Sequence, residues 1–343
     1  MTLVADRVAP GVARRRRVGP ATAVALAVAA VVVASALSVV VGSRSLSVGS
    51  LGALLDPADP LHAVYRARLE RTALALVVGA SLGLAGACLQ GLTRNPLADP
   101  GILGINAGAA FAMVVAISFL GISDLQQYVW FAFVGAAVAA VVVHVIASLG
   151  REGATPVKLA IAGAAFTAAV ASWTSAALLV DRSTIESFRL WQVGTVGGRG
   201  LEVLSTGLPF LVVGGVLALT GARVLNALAL GDELARGLGR RTTLDRIRIG
   251  LAGVLLAGTA TALAGPIAFV GLMAPHGVRA VVGADYRLVL PLAALAGAVI
   301  AVLADTAGRV VLPPTEVQVG IMTAVLGAPA FLWLVRRGRT GAL

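Results

Sequence analysis

Residues 72–104 read TALALVVGASLGLAGACLQGLTRNPLADPGILG. The first part of this stretch, residues 72–91, carries no charged side chain, and about 20 apolar residues in a helix cross the roughly 30 Å hydrocarbon core of a bilayer. Two prolines follow in the next ten residues. Asp99 is suited to cap a helix and Pro100 to occupy its first position, so a new helix is predicted there. The stretch therefore predicts a chain that crosses a membrane, turns and crosses back.

The composition of the whole chain agrees with this interpretation. Of its 343 residues, 58% are hydrophobic and 13% are charged, and the mean hydropathy is +0.94. Soluble domains have about 45–50% apolar and about 25% charged residues. The one cysteine, Cys88, excludes a disulfide within the chain. The composition excludes a disordered chain, a disulfide scaffold and an ordinary cytosolic enzyme, and it predicts an all-α, polytopic membrane protein.

Apolar runs of helical length recur along the chain, and we predict ten transmembrane spans. They form a single domain, residues 21–338, between a basic N-terminal tail, 1–20, and a C-terminal tail, 339–343. The spans are residues 21–42, 72–91, 101–120, 128–149, 157–180, 203–222, 247–265, 267–282, 288–306 and 316–335. The first apolar run, of about 22 residues, is longer than a usual signal-peptide core, so an uncleaved span is favoured over a cleaved signal.

Arginines at the two ends of the chain predict its orientation. Arg14 to Arg17 precede the first span, and Arg336, Arg337 and Arg339 follow the last. Because positive residues favour the cytoplasmic side, both termini are predicted to be cytoplasmic, in the plasma membrane, which requires an even number of spans. The net charge of +11 does not indicate a nucleic-acid partner, because the arginines lie between apolar spans. We call the cytoplasmic end of the bundle inner and the opposite end outer.

The largest predicted inner loop, residues 223–246, contains a short amphipathic helix. Leu230, Leu234 and Leu238 recur at the spacing of one helix face, and Gly239 is a stop signal. Such a helix can lie on lipid or dock into a partner's groove. Docking is favoured, because three leucines make a narrow face for a membrane anchor.

The sequence contains few residues that could catalyse a reaction or bind a metal or a phosphate group. Lys158 is the only lysine, so a phosphate-binding GxxxxGK[ST] loop is absent, and the three histidines lack metal-ligand spacing. We therefore expect no catalytic residue, no cofactor and no metal site. Among acidic residues in the spans, Asp305 is the best candidate for an ion relay, but it falls at the outer end of its span. A transporter with this sequence is expected to take its energy from another protein.

Arginines on the outer side oppose the general charge bias. Arg66, Arg68 and Arg71 cluster just before the second span, and Arg309 follows the ninth. They are either interfacial anchors or a surface for an anionic partner, since arginine pairs well with carboxylates at interfaces.

The motifs strongly resemble the permease subunits of iron-siderophore, haem and cobalamin ABC importers, the FecCD family. The run from Arg68 to Gly104 carries most of the likeness, and GPIAFVGLMAPH at 265–276 and GAPAFLW at 327–333 agree with it. The resemblance covers about residues 45–338. It implies ten transmembrane helices with cytoplasmic termini and short cytoplasmic coupling helices.

The resemblance also implies an assembly. Two permease subunits, identical or paralogous, enclose a pathway in the lipid bilayer, two ATPase subunits dock on the inner side, and an extracytoplasmic binding protein delivers substrate from outside. Transport is implied to occur by alternating access, with tilting of the fifth and tenth spans. The permease itself is implied to have no ATPase site and hence no enzymatic step.

Roles of individual residues follow from the resemblance by position. Binding-protein docking is implied for Arg68, Arg71 and Arg309. The cytoplasmic gate is implied for Asn95, Leu97, Pro156 and Val157. Coupling to the ATPase is implied for Leu230, Gly231, Asp232, Glu233, Leu234, Arg236, Leu238 and Gly239. Glu70 stands where the family has proline, and we expect it to pair with Arg66 or Arg71 and to weaken the cationic patch.

Substrate and rival functions stay open at this level. Ferric siderophore is favoured, with cobalamin or haem as the alternatives. A gradient-driven secondary transporter or exporter is the rival from another class, and an intramembrane enzyme lacks a catalytic set.

Overall fold

The structure is a computed structural model that describes residues 18–42, 48–122, 125–150, 154–179 and 182–338. Within them the chain forms thirteen α-helices and two 3₁₀ helices, Val48–Leu54 and Pro100–Leu103. The α-helices are α1 Pro20–Val40, α2 His62–Thr93, α3 Ile105–Leu120, α4 Leu125–Ser148, α5 Pro156–Leu178, α6 Arg182–Gln192, α7 Leu201–Thr220, α8 Ala222–Ala229, α9 Asp232–Gly237, α10 Thr242–Ala264, α11 Val270–Val282, α12 Tyr286–Val311 and α13 Val319–Gly338. Most of the predicted tails, 1–17 and 339–343, lie outside the described residues, and the single-domain boundary stays a prediction.

Every predicted span corresponds to one helix. Seven helices of the described chain, α1, α2, α4, α5, α7, α10 and α12, are long and apolar enough to cross a membrane. Three shorter apolar helices, α3, α11 and α13, account for the other predicted spans. The prediction of an all-α, polytopic fold is confirmed.

Helix α2 is the centre of the bundle and packs against α10, α11 and α12. Its glycines allow backbones to approach closely. A Cβ atom added at Gly83 would meet the carbonyl oxygen of Ala293 in α12, and one at Gly86 would meet that of Gly271 in α11. Small residues at such crossings maximise van der Waals contact where the lipid gives no hydrophobic drive for helix association. The glycines of α2 are therefore a packing feature.

The predicted helix break at Asp99 and Pro100 is present, with one difference. The Asp99 carboxylate accepts a hydrogen bond from the amide of Gly101 at 2.8 Å, as a cap should. The helix that begins there is the four-residue 3₁₀ turn Pro100–Leu103, and α3 starts only at Ile105. The structure has a further break between Ala264 and α11, where the Ala264 carbonyl accepts the amide of Thr195 at 2.7 Å. Another part of the chain thus satisfies a backbone group freed near the membrane.

The inner loop contains two helices, α8 and α9, where one was predicted. Helix α9 ends in a Schellman motif: the amide of Gly239 donates to the Arg236 carbonyl at 2.9 Å and that of Arg240 to Ala235 at 3.1 Å. Gly239 has φ of 76°, which glycine adopts without strain. The stop predicted at Gly239 is confirmed.

Candidate functional site

The inner loop presents three leucines to its surroundings. The exposed fractions of Leu230, Leu234 and Leu238, which we call the leucine face, are 58%, 61% and 65%. On the opposite side of α9, Ala235 is fully buried against the bundle. The three leucines do not share one helix as predicted, because the chain turns at Gly231: Leu230 is the C-cap residue of α8, Leu238 is that of α9, and Leu234 lies inside α9. An exposed apolar row on an anchored loop is typical of a surface that binds a protein partner.

One carboxylate anchors α9 to the rest of the bundle. Asp232 accepts two hydrogen bonds from Arg246 of α10, at 2.8 and 2.9 Å, and forms a salt bridge with Arg94. Arg94 is the C-cap of α2 and has a left-handed backbone, with φ of 51°. The three side chains are 31–39% exposed, so each pair contributes at most about 1 kcal/mol. Their joint effect is geometric, because they fix α9 to the inner ends of α2 and α10.

The four predicted gate residues all lie at the inner end. Asn95 and Leu97 occupy the turn between α2 and the second 3₁₀ helix, and the Asn95 carboxamide accepts the amide of Leu97 at 2.9 Å. Pro156 is the first residue of α5, and Val157 follows with 67% exposure. Further along the chain, α5 packs closely against the second 3₁₀ helix, because a Cβ atom at Gly163 would meet the carbonyl oxygen of Ile102. A gate formed by these residues stays a prediction.

A buried ion network joins helices at the outer end. Asp305 of α12 is 1% exposed and accepts hydrogen bonds from Arg71 of α2 at 2.8 to 3.0 Å. Arg309 contacts the same carboxylate at 3.3 Å and donates to the Ser38 carbonyl at 2.8 Å. Arg71 also donates to Glu316, at 2.5 Å, in the connection between α12 and α13. These contacts hold α1, α2, α12 and that connection together.

The other outer arginines differ sharply in exposure. Arg68 is 7% exposed and donates to the carbonyls of Val39 and Val40, where a cation at a helix C-terminus is stabilising. The side chain of Arg66 is 72% exposed and pairs with Glu70 at 3.0 Å. Glu70 thus makes one of its two predicted pairings.

The burial of Arg68 and Arg309 was missed by sequence reasoning. The spacing of Asp305 and Arg309, one helical turn apart, was the available signal. Docking of Arg68, Arg71 and Arg309 to a binding protein stays a prediction. In this structure their side chains hold the helices together.

Within the described part of the chain, no group of three or more His, Cys, Asp or Glu residues gathers as a metal site would require. Helix α6, which was not predicted, lies on the outer side and buries Phe188 and Trp191 against the bundle. Their i, i+3 spacing was the signal that could have indicated it.

Comparison with known proteins identifies relatives over most of the chain. The FecCD transport family matches residues 29–337. The chain is 47% identical over 271 residues to the probable siderophore transport system permease protein YfiZ of Bacillus subtilis (strain 168), covering 79% of this chain and 81% of YfiZ. It is 41% identical over 314 residues to the ferric enterobactin transport system permease protein FepD of Escherichia coli (strain K12), covering 90% and 93%.

A solved structure agrees with these relatives. It is described as an inward-facing conformation of a metal-chelate type ABC transporter, and it superposes with a TM-score of 0.80 and 27% sequence identity, covering 93% of this chain and 99% of that one. The ten apolar helices, the anchored inner loop and these matches agree with one another. The chain is a multi-pass membrane protein that belongs to the FecCD transport family.

Proposed function

We propose that the chain is the permease subunit of an ABC importer that carries ferric siderophores across the cytoplasmic membrane by alternating access. The observation that carries this proposal is the leucine face on an anchored inner loop, in a chain whose sequence has no phosphate-binding loop. The energy for transport then comes from separate ATPase subunits that dock on this loop. The siderophore assignment rests on the two relatives, whose names specify siderophore and ferric enterobactin transport.

The contacts of Asp232 connect the docking surface to the transmembrane helices, so that they can transmit a movement. A displacement of α9 by an ATPase subunit pulls on Arg94 at the end of α2 and on Arg246 at the start of α10. Both helices run to the outer end, so movement at the ATPase reaches the outer side through rigid elements.

The composition and exposure of α5 are an argument for a second permease subunit. It is the least apolar of the seven long spans of the described chain, and only 17% of its most apolar 18-residue stretch is buried. Helix α1 has a similarly small buried share, 22%, but it is the most apolar of these spans, as expected for lipid contact. The exposed face of α5 includes Ser172, Trp173 and Ser175. This mixture suits a pathway between two permease subunits, identical or paralogous, better than it suits lipid.

The ion network at the outer end indicates which contact a docking binding protein would replace. An acidic side chain of the binding protein that approaches Arg71 would compete with Glu316, which is 36% exposed, and not with the buried Asp305. Docking of this kind releases the connection before α13 while it leaves the link between α2 and α12 in place.

Reconstitution tests the proposal directly. The permease, its cognate ATPase and its binding protein are placed in vesicles, and uptake of radio-iron on a siderophore is compared with uptake of labelled cobalamin and haem. Iron uptake is expected only with ATP and the ATPase. Iron uptake without the ATPase would overturn the importer assignment, and uptake of cobalamin or haem alone would replace the substrate class.

A pair of variants tests the docking surface. Leu234→Ser is expected to reduce co-purification of the ATPase several-fold, because it removes an apolar contact from the leucine face. Leu55→Ser changes a leucine that is 90% exposed at the outer end and serves as the control. Equal co-purification of both variants would contradict docking at this face.

A further inference from the structure

An arginine-rimmed cavity opens at the inner end of the bundle, and among the described residues neither the leucines of the leucine face nor the gate residues line it. It has a volume of about 530 Å³ and lies between the end of α7, the start of α8 and the start of α12. Leu219, Leu290 and Pro291 form apolar walls, and the Arg223 and Arg287 side chains stand at the rim. Such basic pockets between transmembrane helices on the cytoplasmic side favour acidic lipid headgroups.

The charges at the rim are available for an anion. Arg223 and Arg287 are exposed, and among the described residues neither guanidinium forms a salt bridge. Arg248 adds a third positive charge next to the cavity, since its guanidinium donates to the hydroxyl of Thr220, a lining residue, at 2.7 Å.

One carboxylate faces this group of arginines. Asp285 accepts hydrogen bonds from the side-chain amide of Asn226 at 2.7 Å and from the backbone amide of Arg287 at 3.0 Å. These hydrogen bonds lower the pKa of the Asp285 carboxyl, so it is ionised at neutral pH. Three arginines against one carboxylate leave an excess of positive charge at the cavity.

An aliphatic row on α7 leads from the membrane interior to the cavity. Leu208, Val212, Val216 and Leu219 are 46–56% exposed and follow each other along one face of the helix. Because α7 is long and apolar enough to cross a membrane, this exposed row is suited to contact with lipid chains, and its last residue, Leu219, lines the cavity. A ligand that fits both parts has an anionic head and long apolar chains.

We propose that this cavity binds an acidic phospholipid, with its phosphate groups against Arg223 and Arg287 and its acyl chains along the aliphatic row of α7. A soluble phosphate would use the arginines but not the row. An ATPase subunit docked on the inner side would not contact the row, which runs along a membrane-spanning helix. Tyr286, which lines the cavity with its body buried, is a residue type enriched at this depth of the membrane.

Native mass spectrometry of the purified full-length protein tests the site. The protein is titrated with cardiolipin, phosphatidylglycerol and phosphatidylcholine, and the bound fraction is measured. Wild type is expected to bind the two acidic lipids at least tenfold more tightly than phosphatidylcholine. The double variant Arg223→Gln/Arg287→Gln is expected to bind them about 30-fold more weakly, since each arginine near a membrane surface contributes about a fivefold factor.

Matched variants separate the site from general electrostatics. Arg189→Gln/Arg336→Gln removes the same charge from exposed positions elsewhere and is expected to bind like wild type. Arg223→Lys/Arg287→Lys keeps the charges and is expected to bind within a few-fold of wild type. If the glutamine variant does not fold, Val212→Ser/Val216→Ser tests the aliphatic row, with an expected loss of several-fold.

Three results would overturn the proposal. The first is equal binding of acidic and zwitterionic lipids by wild type. The second is displacement of the acidic lipid by millimolar inorganic phosphate, which would indicate a soluble-anion site. The third is unchanged lipid binding by the glutamine variant, and loss of ATPase co-purification in that case would assign the arginines to the ATPase.

Discussion

Asp305 is the residue on which the outer end of the bundle depends most. Its carboxylate is 1% exposed and neutralises two arginines that are themselves largely buried. Removing one member of a buried ion pair leaves a charge without compensation in a low-dielectric surrounding, which costs about 3–5 kcal/mol. The acid that the sequence offered as an ion-relay candidate therefore has a structural role in this conformation.

The variant Asp305→Asn tests this role. We expect it to lower the free energy of unfolding by about 3 kcal/mol or more, because Arg71 and Arg309 lose their shared carboxylate. Thermal unfolding of the purified protein gives the measurement. Glu316→Gln, at the more exposed end of the network, should cost about 1 kcal/mol or less. Similar melting temperatures for the two variants would show that the buried pair is not the stabilising one.

Asp232 supports a second prediction at the same scale. Asp232→Asn removes the charge that holds both Arg94 and Arg246, so ATP-driven uptake is expected to fall several-fold while the amount of protein in the membrane is unchanged. Glu186 is exposed on the outer side and is not one of the predicted coupling residues, so Glu186→Gln is the control. Equal uptake by the two variants would argue against transmission through the Asp232 anchor.

Among the seven long spans of the described chain, α2 has the largest buried share, 78% of its most apolar stretch. The carbonyl oxygen of Ala293 occupies the place that a Cβ atom at Gly83 would need. Because the obstacle is backbone, a larger side chain forces α2 and α12 apart.

We therefore expect Gly83→Ala to reduce the yield of folded protein strongly and to lower its melting temperature by several degrees. Gly215→Ala is the matched control, since a Cβ atom there meets open space on α7. Fluorescence-detected size exclusion and thermal unfolding measure both effects. A Gly83→Ala protein as stable as Gly215→Ala would mean that the helices can shift at little cost.

The transmembrane helices were predictable because hydropathy over about 20 residues is a strong local signal. The bounds of the helices were less predictable than their existence. Helix α2 begins at His62, ten residues before the predicted span, because helical hydrogen bonding continues beyond the apolar run. Helices α6 and α8 were missed, because short amphipathic helices carry no such run. The shared carboxylates at Asp232 and Asp305 depend on contacts between distant segments, and no local pattern specifies them.

On the scale of the whole molecule, the ten spans place both chain ends on the same side of the membrane. The arginine bias predicts that this side is cytoplasmic. The protein offers a clean test, because its one cysteine, Cys88, is fully buried. A membrane-impermeant maleimide should therefore not label the wild-type protein.

Single cysteines then report the orientation. Leu55→Cys lies at the outer end and is expected to react in intact cells, whereas Leu238→Cys lies at the inner end and is expected to react only in inverted vesicles. Both parent leucines are well exposed, at 90% and 65%. The opposite labelling pattern would invert the topology and place the leucine face on the wrong side for an ATPase.

The length of α2 has a mechanical consequence. Its 32 residues form a rod about 48 Å long, well beyond the thickness of the hydrocarbon core. Arg71, in the third turn of the helix, is tied to Asp305, and Arg94, at its inner end, is tied to Asp232. A rotation of such a rod by only about 5° about its centre displaces each end by about 2 Å, which is enough to stretch a hydrogen bond well beyond its usual limit of about 3.2 Å. The helix works as a lever, and a tilt too small to disturb its packing at the centre is large enough to break a contact at its tip.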